Sequence, residues 1–182
     1  FTATATAQVK FGARLGGGLG SVSKNIHADR YEGQGTGKHG NFSTYYGGFT
    51  MEVPASEKWL LDIELNYIFL GVVGERSTIL HNVNVPVAVK YDISSFRPKV
   101  GLYASYIPAV TSFEDEQHSL TKNDLKKFDY GATFGLEYNF TEKFYIEANF
   151  NLGLANLLKE DSRHSSDYLR NRTLFLGIGY RF

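Results

Sequence analysis

Period-two alternation predicts an all-β fold, an eight-stranded antiparallel up-and-down transmembrane β-barrel. Three observations carry the expectation. Eight segments place apolar residues on one face and small or charged residues on the other. The connections between them alternate between short and long. The polar face is rich in glycine, while the apolar face carries aromatic rings near both strand ends.

The first segment, Val9 to Leu19, sets Phe11 against Lys10, Gly12, Arg14, Gly16 and Gly18, and Phe42 to Val53 sets Tyr45 against Gly48 and Glu52. In Trp59 to Phe69, Leu61, Ile63, Leu65, Tyr67 and Phe69 oppose Asp62, Glu64 and Asn66. In Val83 to Tyr91, alternate valines and Tyr91 oppose Asn84, Pro86, Ala88 and Lys90. Pro98 to Tyr106 carries Lys99, Gly101 and Ser105 on the polar face. Phe128 to Phe140 holds its phase throughout, with Phe128, Tyr130, Ala132, Phe134, Leu136, Tyr138 and Phe140 on one side and Asp129, Gly131, Thr133, Gly135, Glu137 and Asn139 on the other. Phe144 to Leu154 adds Glu147, Asn151 and Gly153 to the polar face, and Thr173 to Phe182 adds Gly177, Gly179 and Arg181. Every strand charge falls on that face once the phase is set from the apolar residues.

Pro54 to Lys58, Asp92 to Arg97 and Thr141 to Lys143 are short turns; Gly20 to Asn41, Gly71 to Asn82, Ile107 to Lys127 and Ala155 to Arg172 are long loops. Trim turns at one end and long loops at the other are the pattern of an outer-membrane barrel, whose first and last strands close the sheet. A soluble ligand-binding barrel also alternates, with its apolar face inward. The polar face decides against it: a water-facing surface is dense in Lys and Glu, whereas this one is mostly Gly, Asn, Ser and Thr. The apolar face has two aromatic belts. Phe11, Trp59, Tyr91, Phe140, Phe144, Tyr180 and Phe182 form one at the short-turn end, and Tyr45, Phe69, Tyr106, Phe128 and Tyr130 the other at the loop end. Such rings settle at headgroup level.

The 182 residues make one domain, with 19 Lys+Arg against 19 Asp+Glu and no Cys. No excess of positive charge exists for nucleic acid, and thiolate metal sites, clusters and cysteine nucleophiles are excluded. Phe1 to Ala7 reads as a secretory-signal or cloning remnant, leaving residues 8–182 as the barrel domain.

The inward charges Lys10, Arg14, Glu52, Asp62, Glu64, Lys90, Lys99, Glu137, Glu147 and Arg181 are expected to interlock as salt bridges across neighbouring strands, because a buried charge must be paired. An eight-stranded barrel is narrow enough for such side chains to fill. Above this plug, Gly16, Gly18, Gly48, Ser105, Gly131, Thr133, Asn151 and Gly153 are small, which suggests a shallow cup open at the loop end.

Other motifs carry little chemistry. Gly33 to His39 lacks the first glycine and the hydroxyl of a P-loop. His27, His39, His81, His118 and His164 gather in the long connections without ligand spacing, so no metal and no cofactor are expected. His164-Ser165-Ser166-Asp167 is the one local cluster with hydrolase ingredients, but adjacent loop residues do not make a triad.

Three stretches resemble a known family: Val9-Lys10-Phe11-Gly12-Ala13-Arg14-Leu15-Gly16, Asn84-Val85-Pro86-Val87-Ala88-Val89-Lys90-Tyr91 and Leu174-Phe175-Leu176-Gly177-Ile178-Gly179-Tyr180-Arg181-Phe182. They look like the small porin-family outer-membrane β-barrels of OmpX-like and OmpA-membrane-domain-like architecture. The resemblance implies an integral protein of a Gram-negative outer membrane, surrounded by its lipids. It also implies that Tyr180 and Phe182 form a C-terminal signal read by the barrel-assembly machinery. The function expected is a non-enzymatic protein with an occluded, ion-paired interior, displaying four outer loops for structural, adhesive or protective contacts. The alternatives are an accessory subunit of an assembly, secretion or uptake complex, meeting an envelope partner through its lipid face or loops, a lipid-modifying enzyme, and the soluble ligand-binding barrel.

Overall fold

In a computed structural model, residues 8–25, 40–72, 78–112, 127–155 and 168–182 are described. Eight strands run in order: β1 (Lys10–Asn25), β2 (Gly40–Pro54), β3 (Trp59–Val72), β4 (Thr78–Tyr91), β5 (Phe96–Ser112), β6 (Phe128–Asn139), β7 (Phe144–Gly153) and β8 (Tyr168–Arg181). Each pairs antiparallel with its neighbours, and β1 pairs with β8 from Gly12↔Arg181 to Asn25↔Tyr168, closing the barrel. A strand of 14 residues such as β3 is about 45 Å long at roughly 3.3 Å per residue. Tilted by about 40°, it spans more than the roughly 25 Å apolar band of an outer-membrane barrel.

The short-turn end is built from local hydrogen bonds. The Thr141 hydroxyl accepts from the Phe144 amide at 2.9 Å and the Lys143 amide at 3.2 Å. Between β4 and β5, Ile93 and Phe96 bridge, and Ser94 takes a left-handed φ of 59°. Phe96 and Arg97, expected in this turn, already belong to β5.

Several strands extend beyond their expected ends at the loop side. Outside the bilayer an apolar alternation no longer serves a purpose, so pairing continues without a sequence signal. His81, expected in a long connection, is a β4 residue opposite Phe69. The β4–β5 ladder shifts register between His81 and Val83, opposite Pro108, which has no amide hydrogen to give the ladder.

Phe134, Leu136 and Leu65 are exposed on the outer surface, while Glu64 and Glu137 are buried in the lumen. The apolar face therefore looks outward. Both aromatic belts stand on that face, with contacts such as Trp59 against Tyr91 at 4.7 Å and Tyr106 against Phe128 at 5.0 Å between ring centres.

Candidate functional site

The lumen holds the chemistry. Ladder partners on neighbouring strands often carry like charges at one level: Glu52 faces Asp62, Lys90 faces Lys99, and Glu137 faces Glu147. Like charges opposite each other repel, so most ion pairs do not form between neighbouring strands, contrary to the expectation. They reach across the lumen to the strand after next.

Two closed rings result. Lys90 on β4 sits 2.7 Å from Glu52 of β2 and 2.9 Å from Glu137 of β6; Arg181 on β8 pairs with Glu137 and lies 2.9 Å from Glu52. This ring uses the even strands and lies toward the short turns. The second uses the odd strands: Arg14 of β1 pairs with Glu64 of β3 and, at 2.8 Å, with Glu147 of β7. Lys99 of β5 completes it at 2.5 Å from Glu64 and 3.5 Å from Glu147. In both rings cation and anion alternate, and all eight side chains are buried. Alternate strands supplying successive layers is how a small barrel fills its interior.

Asp62 stitches the rings together, 3.1 Å from Lys90 and 3.5 Å from Lys99, and accepts from the Thr50 hydroxyl at 2.6 Å. Remaining acceptor positions are taken by neutral donors: Tyr46 donates to Glu147 at 2.7 Å and the Asn66 amide to Glu64 at 3.1 Å. Each ring is neutral, so Asp62 leaves one negative charge over. Arg97 approaches the first ring from the short-turn mouth, 3.6 Å from both Glu52 and Glu137, but its nearest partner is Asp92 at 2.7 Å, so the excess negative charge is not cancelled by it. Sequence reading missed Arg97 by placing it in a turn, although it shares the phase of Lys99.

Lys10 stands apart from this network. It is exposed at the first position of β1, and β1 pairing with β8 begins only at Gly12. Water reaches the ammonium there, so nothing drives it to pair. Tyr180 and Phe182 lie on the outer face, with their rings 5.8 Å apart and Tyr180 4.9 Å from Phe144.

The small-residue cup is not open. Phe42, Tyr46, Ile68, Leu70 and Phe175 form a buried apolar cluster across it, with Tyr46 edge-on to Phe175 at 5.3 Å. The glycines are the seats of inward rings. A Cβ on Gly16 would come within 2.7 Å of the Tyr46 ring, one on Gly131 within 2.7 Å of Tyr103, and one on Gly179 would collide with Tyr145. These rings share the phase of the lumen charges in the sequence, and that parity was the available signal. Tyr103 donates to Asp129 at 3.1 Å and Thr133 to Asn151 at 2.7 Å. Among the described residues, two of the cavities that remain are about 10 Å³ each, room for about one water apiece. The first is lined by Arg14, Asn66 and Asn149, whose buried Nε, Oδ1 and side-chain amide lack protein partners.

His81 points outward and meets the Tyr67 hydroxyl at 2.9 Å. The other four histidines, the segments Gly33 to His39 and His164 to Asp167, and residues 1–7 lie outside the described residues. Among the described residues no cluster suits a metal ion.

A closed sheet with apolar residues outward, aromatic rings at both rims and paired charges within defines an integral outer-membrane β-barrel protein. The chain belongs to the family of the outer membrane protein beta-barrel domain, whose model matches residues 1–182, and it resides in the outer membrane. Among solved structures it is similar to Neisserial surface protein A, at 11% identity and a TM-score of 0.62, covering 96% of this chain and 99% of that one. The attachment invasion locus protein Ail of Yersinia pestis, solved with the heparin analogue sucrose octasulfate, aligns at 14% identity and a TM-score of 0.50, covering 96% and 99%. At these identities the likeness is one of fold. The chain has no match among curated proteins.

Proposed function

We propose that the chain is a non-enzymatic, non-conducting outer-membrane protein whose barrel holds its four long connections outside the cell for structural, adhesive or protective contacts. The observation that supports this reading is the pair of closed ion rings joined through Asp62. They draw one buried charge from each of the eight strands into ion pairs across the lumen, and, among the described residues, the aromatic side chains above them leave only small cavities. A solute entering would have to break several buried ion pairs, each costing several kcal/mol when one partner is lost. Planar-bilayer recording of the purified protein is therefore expected to give no steady conductance; sustained open-channel current would overturn the reading. Detergent pull-down is expected to recover the barrel alone, whereas a stoichiometric membrane partner would make it a subunit. Hydrolysis or transfer on lipid that disappears in His164→Ala or Ser165→Ala would make it an enzyme.

Tyr180 and Phe182 serve, in the same reading, as the assembly signal. Phe182→Ser is expected to lower the yield of assembled barrel in the membrane while the purified chain still refolds in detergent. Equal loss in both settings would mark the residue as structural only.

A further inference from the structure

We propose that Arg170 and Arg172 form an outward-facing site for the phosphate of an outer-leaflet lipid headgroup. Asn171 and Thr173 line the lumen, so the alternation of β8 turns residues 170 and 172 to the outside, and both are exposed. Among the described residues, no other Lys, Arg, Asp or Glu of a strand has the outward phase. Their place on the strand explains why a lipid-facing surface tolerates them. Below Arg172 the outward residues are Leu174, Leu176 and Ile178, followed by Tyr180 of the short-turn belt. Tyr180 to Arg172 is eight residues, about 20 Å along the barrel axis after tilt, and Arg170 stands about 25 Å up. The pair therefore brackets the upper edge of the apolar band, where headgroups begin.

On four other strands this level is taken by rings: Tyr45, Tyr67 with Phe69, Tyr106, and Phe128 with Tyr130. At β8 the belt gives way to two guanidinium groups. Arg172 has Ser21 opposite it on β1 and Leu152 on β7. The patch is cationic above and greasy below, where Phe150, Leu174 and Leu176 are exposed. That is the complement of an anionic lipid, with acyl chains on the leucines and phosphate on the arginines. A guanidinium presents a planar fork that matches phosphate oxygens two at a time. Alternate residues of a strand stand about 7 Å apart, close enough for both forks to reach one headgroup.

The test is retention of bis-phosphorylated lipid A by the purified barrel in dodecylmaltoside, read by native mass spectrometry. Wild type is expected to keep the phosphorylated lipid through washes that remove fully dephosphorylated lipid A and phosphatidylcholine. The Arg170→Gln/Arg172→Gln chain is expected to hold it about tenfold more weakly, whereas Lys143→Gln, a cation at the opposite rim, is expected to change nothing. Unchanged heat-modifiability of each variant shows that its barrel is intact. Equal retention by wild type and the double variant would overturn the proposal. So would equal retention of dephosphorylated lipid A by wild type, an arm that needs no variant to fold.

Discussion

The tightest fit in the lumen is between a glycine and a ring. Gly179 faces Tyr145, and all three nearest atoms to a Cβ placed there belong to that side chain, ring carbon Cε1 at 2.5 Å among them. Overpacking of this kind costs about 1 to 3 kcal/mol. Gly179→Ala should lower stability by that amount in urea unfolding, and adding Tyr145→Leu should return part of it, because the two changes share one volume. Glu137 offers a second residue-level test. It is fully buried and answers Lys90 and Arg181 together, so Glu137→Leu leaves cations short of an anion and should cost about 3 to 5 kcal/mol. The same residues show what sequence discloses at this scale. The inward phase of Glu137, Lys90 and Arg181 follows from the apolar residues beside them. Which carboxylate each cation meets depends on register around a closed sheet, which alternation does not encode. Arg97 was hidden for a different reason: a turn residue and a strand's first residue look alike when both are polar.

Strands carry the lipid contact, and its strength depends on depth. Phe134 stands midway along β6 on the outer face, whereas Phe128 opens that strand at the loop rim. Phe134→Arg should destabilise the barrel in lipid by about 2 to 4 kcal/mol and Phe128→Arg by about 1 kcal/mol or less; equal losses would contradict the placement of β6 across the bilayer. Strand cores such as Leu61 to Phe69 are legible because each outward residue meets hydrocarbon and each inward one does not. Strand ends are not. Beyond the belts lipid no longer imposes a contrast between the faces, so Thr78 to Asn82 extend β4 without a period-two signal in the sequence. His81 illustrates this, being polar, outward and hydrogen-bonded to Tyr67 at 2.9 Å.

At the scale of the whole molecule, strand number, closure and outward orientation were all legible, because lipid imposes one rule on every strand at once. The occupancy of the upper lumen was not. A face written mostly in glycine reads as empty space until Tyr46, Tyr103 and Tyr145 are seen reaching over it. The closed barrel should migrate faster on an unboiled gel than after heating, and should stay in solution only with detergent; a band indifferent to heat would argue against a sheet closed by β1 and β8. The two ion rings bear on how such a sheet is completed. Arg181 arrives with the last strand, Arg14 with the first, and neither ring closes within a single hairpin. A chain stopped before its final strand keeps Glu52 and Glu137 without Arg181. The interior thus withholds its electrostatic reward until the seam is sewn, which favours finishing the cylinder in one concerted step over lingering as an open trough.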